Sequence, residues 1–223
     1  MCLILLAWRS HAEHPLIVAA NRDEFHARPA RPAAFWDDSP AILAGRDMEA
    51  MGTWMGVARS GRFAAVTNYR GAREPRAVQS RGALVTGFLT TGVSPQSFIG
   101  EIQKQLYSGF NLLLADGNEL WWFSNRDGTP RRLEPGVYGL GNLLLDSPEV
   151  EPDKARFREA LEPAPAPDPL FAALAPARIL NPDYGTRCST VLLESKDRRI
   201  FYAERSFSSD GAEGDTVQFE FTA

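Results

Sequence analysis

The pattern of apolar and polar positions opens on two short apolar runs, Cys2-Leu3-Ile4-Leu5-Leu6-Ala7-Trp8 and Leu16-Ile17-Val18-Ala19-Ala20, separated by the polar stretch Arg9 to Pro15. Runs of this length around a turn-like segment predict a β-hairpin. The start of the first strand then lies beside the end of the second, which places Cys2 next to Asn21, Arg22, Asp23 and Glu24. Residues His26 to Ala34 are expected to be irregular, because Pro29 and Pro32 remove backbone donors and restrict their neighbours. Apolar runs at 41–47, 53–58 and 62–68 continue an antiparallel meander, the last two joined by an Arg59-Ser60-Gly61 turn.

The period changes after Ser80. Leu84, Val85, Phe88 and Leu89 fall on one helical face, with Ser80 as the expected N-cap. Ser94-Pro95 opens a second predicted helix, whose apolar positions Phe98, Ile99, Ile102 and Leu106 carry it towards Gly109. Strands return at 110–115, 119–124 and 137–142. A helix is predicted over Asp153 to Leu161, with Lys154, Arg156 and Arg158 on its wetter side. A proline-rich surface linker follows from Glu162 to Pro169, then a short helix from Leu170 to Leu174. The chain ends in strands at 189–194, 199–205 and 216–222. In the last of these, Val217, Phe219 and Phe221 alternate with Gln218, Glu220 and Thr222, so one face is expected buried and the other wet. This order of elements predicts an α+β layered fold, read as a single domain over residues 1–223.

Composition and charge narrow the function classes. The chain has 223 residues, 44% of them hydrophobic and 23% charged, ordinary values for a soluble protein with a full core. A formal net charge of -4 leaves no nucleic-acid footprint. Two cysteines, Cys2 and Cys188, are too few for a disulfide framework or a cysteine-based zinc site, and they fit a reducing compartment. The N-terminal apolar run is short, follows no basic region and is broken by Arg9, so it reads as neither a signal peptide nor a membrane span. A cytoplasmic location is expected, with a small molecule as ligand or substrate and no nucleic acid. Oligomeric state is left open. His11, His14 and His26 lie near the N-terminus without metal-ligand spacing, and no phosphate loop is present.

Candidate chemistry begins at Cys2. A free thiol titrates near ~8.5 and is mostly protonated at neutral pH. Removal of Met1 gives Cys2 an α-amine titrating near ~7.7–8.0, which can take the thiol proton, so one residue supplies both nucleophile and base. Arg22 would favour the thiolate, and Asp23 could hold the amine. A small buried residue at the start of a strand also accounts for Cys2, and a solvated loop start accounts for Asn21 to Glu24. Asn68 and Asn142 each end an apolar strand, where asparagine either makes a turn or offers an oxyanion donor worth ~2.7–4 kcal/mol. Arg187 is suited to a carboxylate or phosphate, or is simply solvated. Cys188 reads as structural.

Several motifs together resemble a known family: Met1-Cys2, His14 to Phe25 with Asn21-Arg22-Asp23-Glu24 at its heart, Arg28-Pro29, Ile42 to Asp47, and Gly52 to Val57. Thr67 to Arg70, Ser80-Arg81-Gly82, Tyr138 to Asn142 and Tyr184-Gly185-Thr186-Arg187 extend the match in order over nearly the whole chain. They resemble the NRDE family, also called the transport and Golgi organization protein 2 family. Ala50-Met51-Gly52 departs from it, since the family more often has a glycine pair there. The same skeleton is similar to N-terminal nucleophile (Ntn) hydrolases of the choloylglycine hydrolase and penicillin V amidase type. That similarity implies a four-layer αββα sandwich of two antiparallel sheets flanked by helices. It implies Cys2 as nucleophile, Asp23 as partner of its amine and Arg22 as the nearby cation. Asn68 and Asn142 would serve the amine network and oxyanion hole, and Arg187 would close the site. The activity implied is an amide hydrolase or acyltransferase requiring no cofactor. The alternative is a haem or acyl-CoA/lipid binding and trafficking protein whose cleft is lined by some of Trp8, Trp36, Trp54, Trp121 and Trp122. A scaffold without chemistry is the third reading.

Overall fold

Leu3–Trp8 (β1) and Leu16–Phe25 (β2) form the expected hairpin, with Leu3 opposite Asn21 and Trp8 opposite Leu16. The computed structural model describes residues 2–71 and 77–223. The chain continues through β3 (Ala30–Trp36), β4 (Ser39–Asp47), β5 (Met55–Ala58), β6 (Phe63–Asn68), α1 (Gly82–Thr90) and α2 (Pro95–Glu101). After these come β7 (Phe110–Ala115), β8 (Leu120–Ser124), β9 (Arg131–Leu133), β10 (Gly136–Leu140), α3 (Glu151–Ala160) and α4 (Pro167–Leu174). Strands β11 (Tyr184–Glu194), β12 (Arg199–Phe207) and β13 (Glu213–Thr222) complete it. The architecture is α+β, with two antiparallel sheets.

The residues fall into two compact units. The second unit, Pro29–Glu134 with Asn142–Leu144, holds a seven-stranded sheet in simple chain order, β3 to β9. Helix α1 sets Leu84, Val85, Phe88 and Leu89 against Ile42, Ala64, Val66, Leu112 and Leu114 on one sheet face, and α2 adds Ile99. The start of α1 comes close because two glycines meet there. A Cβ on Gly52 would lie 2.9 Å from the Gly82 carbonyl carbon, and one on Gly82 would lie 2.9 Å from the Thr53 oxygen. Ser94 caps α2 as expected, accepting a hydrogen bond from the Ser97 amide at 3.2 Å.

The first unit takes the residues up to Arg28, Pro135–Gly141 and Leu145–Thr222. Its six-stranded sheet has the order β10-β1-β2-β11-β12-β13. Phe157 and Leu161 from α3 and its end, and Leu170 and Leu174 from α4, pack on Leu3, Leu5, Ile17, Ala19, Val191 and Ala203. The residues of opposite parity, Ile4, Leu6, Val18 and Ala20, are also fully buried. Central strands buried on both faces read as unbroken apolar runs, which is why β1 and the first half of β2 stand out in the sequence.

Five expectations need correction. Residues 30–36 are not irregular: β3 is the edge strand of its sheet, and its register shifts between Arg31 and Ala34. An edge strand with a bulge tolerates Pro32, whose missing donor faces no ladder. Helix α2 stops at Glu101, and Lys104–Leu106 forms a separate 3-10 turn. Arg81 holds the N-cap position of α1, although the Ser80 hydroxyl does accept from the Gly82 amide at 3.3 Å. Lys154 is not on a wet face: its side chain is 7% exposed, and Nζ lies 2.7 Å from Asp146 Oδ1. Gly139 admits its stem, since an added Cβ there would sit 2.8 Å from Lys154 Cγ. Strand β9, only three residues long, carries no pattern to predict it from. In β13 the alternation of Val217, Phe219 and Phe221 holds, but those residues are half-buried rather than buried.

Candidate functional site

Strand β2 does not stop at Ala20, because β11 pairs with it along its whole length, from Leu16 opposite Glu194 to Phe25 opposite Tyr184. The polar residues Asn21 to Glu24 are therefore held in a ladder, with alternate side chains on opposite faces. Asn21 is fully buried, donating through Nδ2 to the Leu174 carbonyl at 3.1 Å and accepting from Ser189 Oγ at 2.6 Å. It pins the end of α4 to the sheet, which is a structural task.

Asp23 organises the polar end of the sheet. Its side chain is buried, and Oδ1 accepts a hydrogen bond from Thr186 Oγ1 at 2.6 Å. Its carbonyl accepts from Tyr184 Oη at 3.2 Å and from Cys2 Sγ at 3.4 Å, while its amide donates to Cys2 Sγ at 3.3 Å. The expected adjacency of Cys2 to the end of β2 is present, and the backbone N–H and C=O of a single residue, Asp23, both contact the sulfur. Burial holds the Asp23 carboxyl above the usual carboxylate range. Burial, and then the charge of Asp23, push the Cys2 thiol up to about 11. At pH 7 such a thiol is ionised to roughly one part in ten thousand. Met1, whose removal would free the amine of Cys2, lies outside the described residues.

Arg22 stands opposite Cys188 in the ladder, and its charge acts on the Cys2 thiol in the direction of ionisation. Its side chain is 11% exposed, and Nη2 lies 3.9 Å from Glu24 Oε2. Nη1 is buried with no hydrogen-bond partner among the described residues. Glu24 Oε1 accepts from the Phe25 amide at 2.9 Å, and Glu24 Oε2 lies 4.0 Å from Arg28 Nε. Arg187 sits at a register shift between Thr186 and Cys188. Its Nη1 donates to the carbonyls of Phe25, at 2.9 Å, and of His26 and Arg28, at 3.2 Å each, so it ties down the loop leaving β2. Burial and the neighbouring Arg22 charge lower its pKa. Cys188 is buried, with Sγ 3.6 Å from Glu204 Oε2, and burial pushes its thiol well up.

Cys2, Arg22, Asp23 and Arg187 thus gather at one end of the first unit. Asn68 and Asn142 are brought together in the second unit, where Asn142 Nδ2 donates to the Asn68 carbonyl at 2.6 Å. Tyr184 and Thr186 were missed as site residues. A strand placed from Ser189 onwards left them in a loop; extending it upstream sets Thr186 opposite Asp23. The tryptophans named for an apolar cleft are divided between the units. Trp36 and Trp121 belong to the core beneath α1 and α2, and Trp8 and Trp122 are buried. Among the described residues, no group of three or more His, Cys, Asp or Glu side chains is placed to hold a metal. Among the described residues, no helix is long and apolar enough to cross a membrane.

Known proteins resemble this chain in sequence and in fold. A family model described as Transport and Golgi organisation 2 matches residues 1–176, a span that includes Cys2, Asp23, Asn68 and Asn142 but ends before Arg187. The Transport and Golgi organization protein 2 homolog of Bos taurus is 36% identical over 272 aligned residues, covering 99% of this chain and 99% of that protein. Among solved structures, an N-acylethanolamine-hydrolyzing acid amidase ortholog of Caenorhabditis elegans matches with a TM-score of 0.57 at 11% identity, over 86% of this chain and 92% of that one. The C2A mutant of the conjugated bile acid hydrolase of Clostridium perfringens matches with a TM-score of 0.56 at 8% identity, over 100% and 97%. At such identities the likeness shows the fold, which is that of the Ntn hydrolases.

Proposed function

From the premise that this chain belongs to the Transport and Golgi organisation 2 family, we propose that it is an N-terminal-cysteine amide hydrolase or acyltransferase, with Cys2 as nucleophile after loss of Met1. The observation that carries this reading is the seat of Cys2 Sγ against both the N–H and the C=O of Asp23, beside a buried carboxyl held by Thr186. A thiol pushed up to about 11 is inert unaided, so the chemistry needs a base within reach. The freed α-amine of Cys2 is that base.

In the reaction, the amine takes the thiol proton and the thiolate adds to the substrate carbonyl carbon, whose π electrons move onto oxygen. The C–N bond then breaks, and the leaving amine departs with the proton held by the α-ammonium, which leaves a thioester on Cys2. Water, deprotonated by the same amine, attacks the thioester. The C–S bond breaks, the acid leaves and the thiol regains its proton; an acceptor amine or alcohol in place of water gives acyl transfer. Asp23 orients the α-amine, and Arg22 favours the thiolate. The likeness to an amidase and a bile acid hydrolase supports an amide as the bond attacked.

Intact mass followed by an activated acyl probe tests this directly. The expected result is a chain lacking Met1, acylated once, with the adduct on Cys2 and none on Cys2→Ala. A form that keeps a residue ahead of Cys2 should label at least a hundredfold more slowly, since it lacks the base. Met1 retained in the native protein, or undiminished labelling of Cys2→Ala, would overturn the proposal.

A further inference from the structure

Two hydroxyls of β11 reach Asp23, and the hydrolase reading uses only the one from Thr186, which holds the carboxyl. The other, Tyr184 Oη, donates to the Asp23 carbonyl at 3.2 Å. That same oxygen receives the Cys2 thiol at 3.4 Å, so hydroxyl and thiol meet on one acceptor. Tyr184 is half-buried, and its ring stands edge-on to Phe25 with centroids 5.2 Å apart. The next residue is closely packed too: a Cβ added to Gly185 would lie 2.8 Å from the Ile179 oxygen and 3.1 Å from His26 Nε2.

The two donors differ in strength and in fate. S–H is a weak donor and O–H a strong one, and only the thiol gives up its proton in the reaction. While Cys2 is protonated, its bond to the Asp23 carbonyl favours the thiol. The Asp23 amide, donating to Sγ at 3.3 Å, favours the thiolate. Once the proton has passed to the α-amine of Cys2, the carbonyl dipole points its negative end at a sulfur anion. A hydroxyl on that oxygen offsets the dipole and keeps the acceptor satisfied in both states. Its own proton stays in place, because burial, and then the charges of Cys2 and Asp23, push the Tyr184 hydroxyl up.

We propose that Tyr184 is a positioning residue for the nucleophile, its hydroxyl occupying the Asp23 carbonyl so that the Cys2 thiolate forms against the Asp23 amide. This rests on the hydrolase reading and adds a residue to its machinery. The test measures acylation of Cys2 by 4-nitrophenyl acetate and its alkylation by iodoacetamide, at neutral pH on protein lacking Met1. Peptide mass mapping separates Cys2 from Cys188. Tyr184→Phe keeps the ring against Phe25 and removes only the donor. Both rates should fall about threefold to tenfold, the scale of one hydrogen bond less the nucleophilicity that a more basic thiolate regains. KM for the ester should not change. Tyr184→3,5-difluorotyrosine keeps ring and hydroxyl and makes the donor stronger, so both rates should rise by about twofold. That variant decides the matter if Tyr184→Phe does not fold, since a hydroxyl with a purely structural role predicts no rise. Unchanged rates in Tyr184→Phe, a change confined to KM, or a difluorotyrosine variant no faster than wild type overturns the Tyr184 proposal while the hydrolase reading stands. If iodoacetamide labels Cys2 but the ester acylates neither wild type nor variant, the hydrolase reading falls, and the alkylation rates alone decide the role of Tyr184.

Discussion

A carboxyl buried in a sheet, as Asp23 is, should cost the fold something, and the sign of that cost can be measured. Burial raises its pKa, so its favourable contribution to stability is complete below the unfolded carboxylate value of ~3.9 and is lost as pH rises through the raised native value. Asp23→Asn keeps an acceptor for Thr186 Oγ1 and removes the buried charge. Thermal melts should therefore show the variant gaining on wild type from pH 4 to pH 7, while Cys2 acylation collapses. A variant that instead falls behind as pH rises would show that the carboxylate is stabilised in the native state. The adjacency of Cys2 and Asp23 was legible in the sequence because it follows from hairpin closure alone. Tyr184 and Thr186 were not, since Gly185 and Arg187 interrupt the apolar run that announces β11. Lys154 also misled: its charge predicted a wet face, where a neighbouring glycine and Asp146 admit it to the interior.

Elements were legible where apolar periodicity is strong and obscure where a single residue overrides it. Pro32 argued against a strand, yet β3 needs no donor on its open side. The turn between β4 and β5 contains the chain's one departure from the family motif noted above, Ala50-Met51-Gly52. Met51 there has φ of 59° and an exposed side chain. That left-handed conformation costs a non-glycine residue roughly 1–2 kcal/mol, against about 0.5–1 kcal/mol of extra unfolded-state entropy that a glycine brings. Met51→Gly should therefore stabilise the protein by roughly 0.5–1 kcal/mol, or about 1–4 °C in Tm at this chain length, as differential scanning calorimetry would show. Placing Ala at Gly82 should do the reverse, because its Cβ would strike the Thr53 backbone. The antiparallel meander, both core-facing helices of the second unit and the last three strands were all readable from pattern. How the strands are ordered in the first sheet was not, because pairing between β2 and β11 leaves no local trace.

That pairing sets a property of the whole molecule. The sheet of the second unit follows chain order, so its contacts are short in sequence. The sheet of the first unit joins Asn21 to Ser189, 168 positions apart. Long-range pairing must meet its loop-closure cost before any contact rewards it, and it is correspondingly slow. Pulsed hydrogen exchange during refolding should find the amides of β4 to β8 protected before those of β2 and β11; simultaneous protection would contradict this. The same ordering governs synthesis on the ribosome, where the strands of the second unit are complete long before residue 184 is made. Until Tyr184 and Thr186 arrive, Asp23 has neither of their hydroxyls. The thiol of Cys2 is thus made long before its surroundings are, so a chain terminated ahead of residue 184 carries that thiol without its seat.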